Sequence, residues 1–241
     1  MSSSYDFPNT RWSVVLGAQD PDSALRQQAL ERICRTYWLP IYAYARGHKL
    51  SPADAGDLTQ IVLADLLAKE AFEQVGEGKG RLRSFLMAVT KNHLRKGWRD
   101  ASRQKRGGGQ PVLSHDFENA EQRCLLEPVD EESPETLFDR HWGADLLRRA
   151  MERLQAVYRA EGKPEAFAAL RDVIGQGRGE FSYAELAGKL GLTEGATRVA
   201  AHRLRKRYRR ILKEEIALTL DEDTPEAVED EIRYLFGVFS R

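Results

Sequence analysis

Apolar residues recur every three to four positions through most of this chain, and nowhere do they alternate with polar ones for long enough to build a sheet. That periodicity predicts an all-α protein. Asp22 to Arg46 places Leu25, Ala29, Ile33, Tyr37, Ile41 and Tyr44 at helical spacing, with Pro40 expected to kink or break the helix. The segment "SPADAGDLTQIVLADLL" opens with Ser51 as N-cap, Pro52 at the first helical position and Asp54 in the first turn. "GEGKG" ends that helix, and Leu82, Phe85, Leu86 and Val89 start another running to about Arg103. Helical pattern returns with Leu146, Leu147, Ala150, Met151, Leu154 and Val157, and again over Glu165 to Ile174. The tail "TPEAVEDEIRYLFGVFSR" has Thr224 as cap, Pro225 at the first position and a stripe of Val228, Ile232, Leu235, Phe236 and Phe239. A helix that short is marginal alone in water, so it is expected to pack on something.

Equal numbers of basic and acidic residues, 37 of each, give a formal charge of zero that hides a block pattern. Arg81 to Arg106 is basic, and Asp116 to Asp145 is mainly acidic. Arg198 to Lys213 is basic with no acid, and Glu214 to Glu231 is acidic again. Local patches set the field that a phosphate backbone feels, so overall neutrality does not exclude nucleic acid. Several other classes are excluded. No apolar run approaches the ~20 residues of a membrane span, and "MSSSYDFPNTRW" lacks the basic-then-apolar order of a secretory signal. Cys34 and Cys124 lie far apart with no C-x-x-C, which suits a disulfide-free, cytoplasmic protein. None of the five histidines has metal-finger or H-E-x-x-H spacing, and "GEGKGR" and "GQGRGE" do not fit a phosphate loop. No catalytic residue, metal or cofactor is expected.

The stretch from about Gly107 to Thr136 is acidic, carries Pro111, Pro128 and Pro134, and has weak periodicity; the linker is drawn over 107–143. The expected architecture is two small helical domains joined by this acidic flexible linker. Residues 1–106 form the first domain, 144–218 the second, and 219–241 an acidic amphipathic extension.

The second domain contains "YAELAGKLGLTEGATRVAAHRLRKRYRR", which has the pattern of a helix-turn-helix. Ser182 to Leu190 forms its first helix. Gly191 turns the chain through a left-handed position that only glycine takes cheaply, and Thr193 caps the second helix. Ala196, Val199, Ala200, Leu204, Tyr208 and Ile211 are expected to face inward. Thr197, Arg198, Ala201, His202, Arg205 and Arg209 are expected on the opposite face. In such motifs the start of the second helix enters the major groove. Arg198, His202 and Arg205 are therefore candidates for base edges, with sequence choice resting on these and Thr197. Arg203, Arg207 and Arg210 suit phosphates. The bland alternative is a structural helical hairpin with a solvated basic face.

Taken in order, "SPADAGDLTQIVLADLL", "RLRSFLMAVTKNHLRKGWRDASRQKRGGG" and "FSYAELAGKLGLTEGATRVAAHRLRKRYRRIL" resemble three motifs of bacterial sigma factors of the extracytoplasmic-function type. They match the core-polymerase-binding helix, the promoter-melting helix and the helix-turn-helix, and the likeness covers nearly the whole chain. It implies a transcription initiation factor with no catalytic site. Such a factor binds the clamp and flap regions of core RNA polymerase, places its C-terminal domain on the −35 element of promoter DNA, and melts the −10 element. By position, the resemblance puts Asp54, Asp57, Leu58 and Gln60 on the polymerase surface. It puts Asn92 at a pocket for a flipped −10 base, with the loop Lys79 to Arg83 beside it and Phe85 and Met87 as wall candidates. Lys91, Arg95, Lys96, Arg99 and Arg103 would track the strand backbone, while Trp98 is either a stacking platform or a core residue.

This chain departs from the family at Gly56 and Ile61, where acids are common, and the loss should weaken steering toward a basic clamp. Some relatives without those acids are switched on by a Ser/Thr kinase, which makes Thr59 a candidate phosphosite. An anti-sigma factor is a common partner in the family. The acidic linker or tail either masks the basic helices or is simply a solvated tether. Two readings from other classes remain. The first is a helix-turn-helix activator or repressor that is not a polymerase subunit; the basic, aromatic "FLMAVTKNHLRKGWRD" helix argues against it. The second is a nucleic-acid enzyme using Asp54 and Asp57 for Mg²⁺, although polymerase contact or helix-start acids explain that pair better.

Overall fold

A computed structural model describes residues 24–67, 81–100, 133–175, 181–220 and 224–240. These residues form eight α-helices, one 3₁₀ turn and no β-strand, so the all-α expectation holds. In chain order the helices are α1 (Ala24–Gly47), α2 (Pro52–Leu67), α3 (Leu82–Asp100), α4 (Pro134–Ala160), α5 (Pro164–Leu170), α6 (Tyr183–Leu190), α7 (Glu194–Ala217) and α8 (Pro225–Phe239). Among the described residues no helix is long and apolar enough to cross a membrane.

Two compact units divide the chain. Unit 1 combines Met1–Ala144 with Ala217–Arg241, and unit 2 is Asp145–Ile216. The C-terminal extension therefore belongs to the first unit.

In unit 1, α1 packs on α2, and α3 contacts both. The core side of α1 is aromatic: Tyr37, Trp38, Tyr42 and Tyr44 are all buried, and Trp38 stacks on Tyr42 with centroids 5.1 Å apart. Of the two outcomes expected at Pro40, a break is excluded: α1 runs on to Gly47. An internal proline costs about 3 kcal/mol, and burial of large side chains on either side of it is the compensation available. Ser51 caps α2 by accepting from the Asp54 N–H at 3.1 Å, and Pro52 opens the helix, as the sequence indicated.

The expected linker ends too late. Helix α4 begins at Pro134, ten residues before the boundary drawn from composition. Ser133 caps it, accepting from Thr136 N–H at 3.1 Å. Leu137, Phe138 and Trp142 on its first turns are buried in unit 1, with Phe138 against Tyr37 and Tyr44. Net acidity hid the first turns of this helix, where Leu137, Phe138 and Trp142 are interspersed with Glu135 and Asp139. The rest of the expected linker, 107–132, lies outside the described residues.

Helix α8 starts as expected, with Thr224 accepting from Ala227 N–H at 3.2 Å and Pro225 in the first turn. It buries Val228, Ile232, Leu235 and Val238, each contributing about 1.5–3 kcal/mol when fully covered. Phe236 and Phe239, expected on that stripe, are instead 58% and 42% exposed. Gly143 on α4 makes the seat: a Cβ there would lie 2.5 Å from Leu235 Cδ1 and 2.9 Å from Phe239 Cε2.

Unit 2 builds its core from Leu146, Ala150, Leu154 and Tyr158 of α4, Phe167 and Leu170 of α5, Val173, Ala187 of α6, and the inner side of α7. The helix expected over Glu165–Ile174 is α-helical only to Leu170 and finishes as a 3₁₀ turn.

Candidate nucleic-acid interfaces

Local chemistry fixes the α6–α7 corner in unit 2. Ser182 caps α6 by accepting from Glu185 N–H. Gly191 adopts φ 63°, ψ 30°, the left-handed region, and Leu192 N–H returns to Ala187 O at 3.0 Å. Thr193 then caps α7, accepting from Ala196 N–H at 3.2 Å.

The inner side of α7 differs from the expected one by about one residue. Thr197, Ala201, Leu204, Ile211, Leu212 and Ile216 are buried, whereas Ala196 is exposed and Val199 is 50% exposed. Thr197 is therefore withdrawn as a base reader. Its hydroxyl donates to Thr193 O at 3.0 Å, which satisfies the polar group and makes burial cheap. A hydrophobicity pattern has no way to credit that bond and turns Val199 inward instead.

The arginines sort into two groups. Arg205 is half-buried, donating through Nε to Val173 O at 3.1 Å and lying over the Phe181 ring. Arg207 pairs with Glu161 at 2.8 Å and lies over Tyr158. Both brace unit 2 internally, a cost to any role on DNA. Arg198 is 59% exposed, paired with Glu194 one turn back and stacked over Tyr183 at 4.5 Å. His202, Arg203, Arg209 and Arg210 are exposed. The outward face thus carries Arg198, Val199, His202, Arg203, Arg209 and Arg210.

The second basic helix, α3, has partners from far along the chain. Lys91 pairs with Glu135 of α4 at 2.8 Å; that hydrogen bond holds the Glu135 carboxyl below the ordinary glutamate range. His93 lies 2.8 Å from Asp65 of α2. Arg83, expected in a loop, is in α3 and buried. It donates through Nε to Glu231 Oε1 at 2.7 Å and through Nη1 to Asp139 Oδ1 at 3.3 Å. The guanidinium sits 3.9 Å from the Tyr234 ring centroid and 5.4 Å from that of Trp142. Tyr234 hydroxyl donates to Asp139. Burial still outweighs those contacts and raises the Asp139 carboxyl above its ordinary value. The sequence reading missed this cluster.

Asn92 and Arg95 are exposed on α3, and Phe85 and Met87 are half-buried. Lys96 and Arg99 lie within α3, but their side chains, and that of Trp98, are outside the described set. Arg103 and Lys79 lie outside the described residues.

On α2, Asp54 and Asp57 are exposed and Gln60 is half-buried, while Leu58 is only 8% exposed and supports the surface from within. Thr59 is corrected: it is fully buried, and its hydroxyl donates to Ala55 O at 2.7 Å. A kinase cannot reach it in the folded unit, and a dianion there would meet the core. Gly56 is buried as well, whereas Ile61 is 51% exposed. Among the described residues no three His, Cys, Asp or Glu side chains are grouped to hold a metal ion. No family model, curated protein or solved structure matches this chain.

Proposed function

We propose that the chain is a transcription initiation factor of the sigma type, with α6 and α7 as a helix-turn-helix for the −35 element and α3 as the −10 strand surface. The observation that carries this reading is the outward face of α7. Directly after a glycine turn and a capped start it presents Arg198, His202 and Arg203, with Arg209 and Arg210 further along. Base-edge readout falls to Arg198, His202 and the newly exposed Val199; Arg203, Arg209 and Arg210 take phosphates. On α3, Asn92 and Arg95 are the exposed residues suited to a melted strand. Asp54 and Asp57 are exposed at the start of α2, which supports a contact with a basic polymerase clamp.

The test is co-purification of the full chain with core RNA polymerase, followed by run-off transcription on genomic fragments. Association together with new, chain-dependent transcripts is the expected result. Failure to bind core ends the proposal. Duplex binding by the chain alone would then favour an activator or repressor.

A further inference from the structure

The C-terminal extension contributes one carboxylate to the start of α3, and that carboxylate contacts two arginines with different environments. Arg83 is anchored on every side by Glu231, Asp139, Tyr234 and Trp142, and only 7% of its side chain is exposed. Arg81 precedes the helix and keeps 37% of its side chain exposed, yet its Nε lies 2.8 Å from the buried Oε2 of Glu231, an ion pair without the alignment of a hydrogen bond. The backbone here is fixed by the same segment of chain. Leu82 N–H donates to Thr219 O at 3.3 Å, and Arg81 pairs with Leu220 in an isolated antiparallel bridge.

Arg83 is shared between Glu231 and Asp139, so Arg81 supplies the second positive charge that balances the two buried carboxylates. What the second contact does is fix the place of a cation at the surface. In the group Arg81, Arg83, Asp139 and Glu231, the two carboxylates and Arg83 are buried, and Arg81 is the member that reaches solvent. The outward side of a nominally neutral cluster is therefore positive. Ser84, Ala88, Asn92 and Arg95 form the exposed stripe of α3, stepping by three or four residues, and Arg81 continues it by one step.

We propose that Glu231 is a positioning residue for strand binding: from the C-terminal helix it holds Arg81 at the leading end of the α3 stripe, where Arg81 takes a backbone phosphate of the melted strand. This rests on the sigma-type reading given above. It also assigns the tail a role opposite to masking, because Asn92 and Arg95 stay exposed with α8 docked.

A phosphate contact is independent of sequence, so a fluorescent pool of random single-stranded DNA is a suitable probe. Holoenzyme is assembled from core polymerase and the full-length chain, with core alone as the blank. Arg81→Ala should weaken strand binding about tenfold at low salt and reduce the salt slope by about 0.7, the value of one single-strand phosphate. Glu231→Gln should weaken it about three- to fivefold in the wild-type background and not at all in Arg81→Ala, the coupling expected of residues acting as one. Glu231→Asp keeps the charge and the Arg83 partner; it should lose strand affinity while thermal unfolding shows a folded protein, which separates positioning from simple support.

Equal strand affinity for Arg81→Ala and wild type overturns the inference. So does a Glu231→Gln effect that persists undiminished in Arg81→Ala, or tighter binding by Glu231→Gln, which is the signature of a mask. If wild-type chain binds core but adds no strand binding over the blank, the inference falls while polymerase association stands. If it does not bind core, the sigma-type reading falls and takes the inference with it.

Discussion

Helices α3 and α7 are both strongly basic in sequence, but their charges are used differently. On α7 the partners are modest and mostly peripheral to the outward face: Arg198 leans on Glu194 and Tyr183, and Arg203 stays exposed. On α3 the first arginine, Arg83, is consumed by residues 56 and 148 positions along the chain. Counting positive charges treats the two helices as alike. Counting desolvated ones shows that Arg83 holds a fold together, whereas the α7 face remains available.

The largest contrast is expected from Arg83→Met against Arg203→Ala. Removing Arg83 leaves Asp139 buried without its cation and Glu231 with Arg81 alone, and should cost about 3–5 kcal/mol of unit 1 stability. Arg203→Ala should change stability by no more than about 0.5 kcal/mol, while lowering duplex affinity and flattening its salt slope by about 1. Urea unfolding and salt-titrated DNA binding measure both, and equal stability losses would erase the distinction. Next comes Gly143→Val, which forces a side chain into Leu235 and Phe239 and should cost about 1–3 kcal/mol. Limited trypsinolysis at Arg233 should accelerate as α8 loosens.

Gly191→Ala is a cleaner experiment, because nothing lies within 4 Å of the added methyl and only the φ of 63° is strained. About 1–2 kcal/mol should be lost, all of it in unit 2. The smallest effect belongs to the half-exposed Lys91–Glu135 pair, worth under about 1 kcal/mol. Glu135 has a depressed pKa, so its contribution is fully present above the ordinary glutamate range and is lost as pH falls through the folded-state value. The stability gap between wild type and Lys91→Met should be measurable at neutral pH and vanish in acid. A gap that persists in acid would mean the lysine acts through packing.

These experiments probe what the sequence left illegible. Caps and turns were readable in advance: Ser51, Thr193, Thr224 and Gly191 all act on backbone within a few residues of themselves. Three things were not readable. The start of α4 at Ser133-Pro134 carried its cap signal inside an acidic stretch, and composition outweighed it. The true inner side of α7 depends on a threonine whose hydroxyl is satisfied by its own helix, so polarity was mistaken for exposure. Thr59 misled in the same way on α2. The Arg83 cluster has no local signature, since its members come from three helices spread over most of the chain.

The seat of α8 also has a consequence for the order in which the protein is made. A ribosome releases residues from the N-terminus onward, and domains generally fold as units while synthesis proceeds. Unit 2 has all of its residues once Ile216 has emerged, but unit 1 waits for Glu231 and Leu235, which follow later. Until then Arg83 has no Glu231 beside it. Of the two units, the one whose encoding begins first is the one completed later, and a nascent chain stalled before residue 225 should expose the core side of α4 to chaperones.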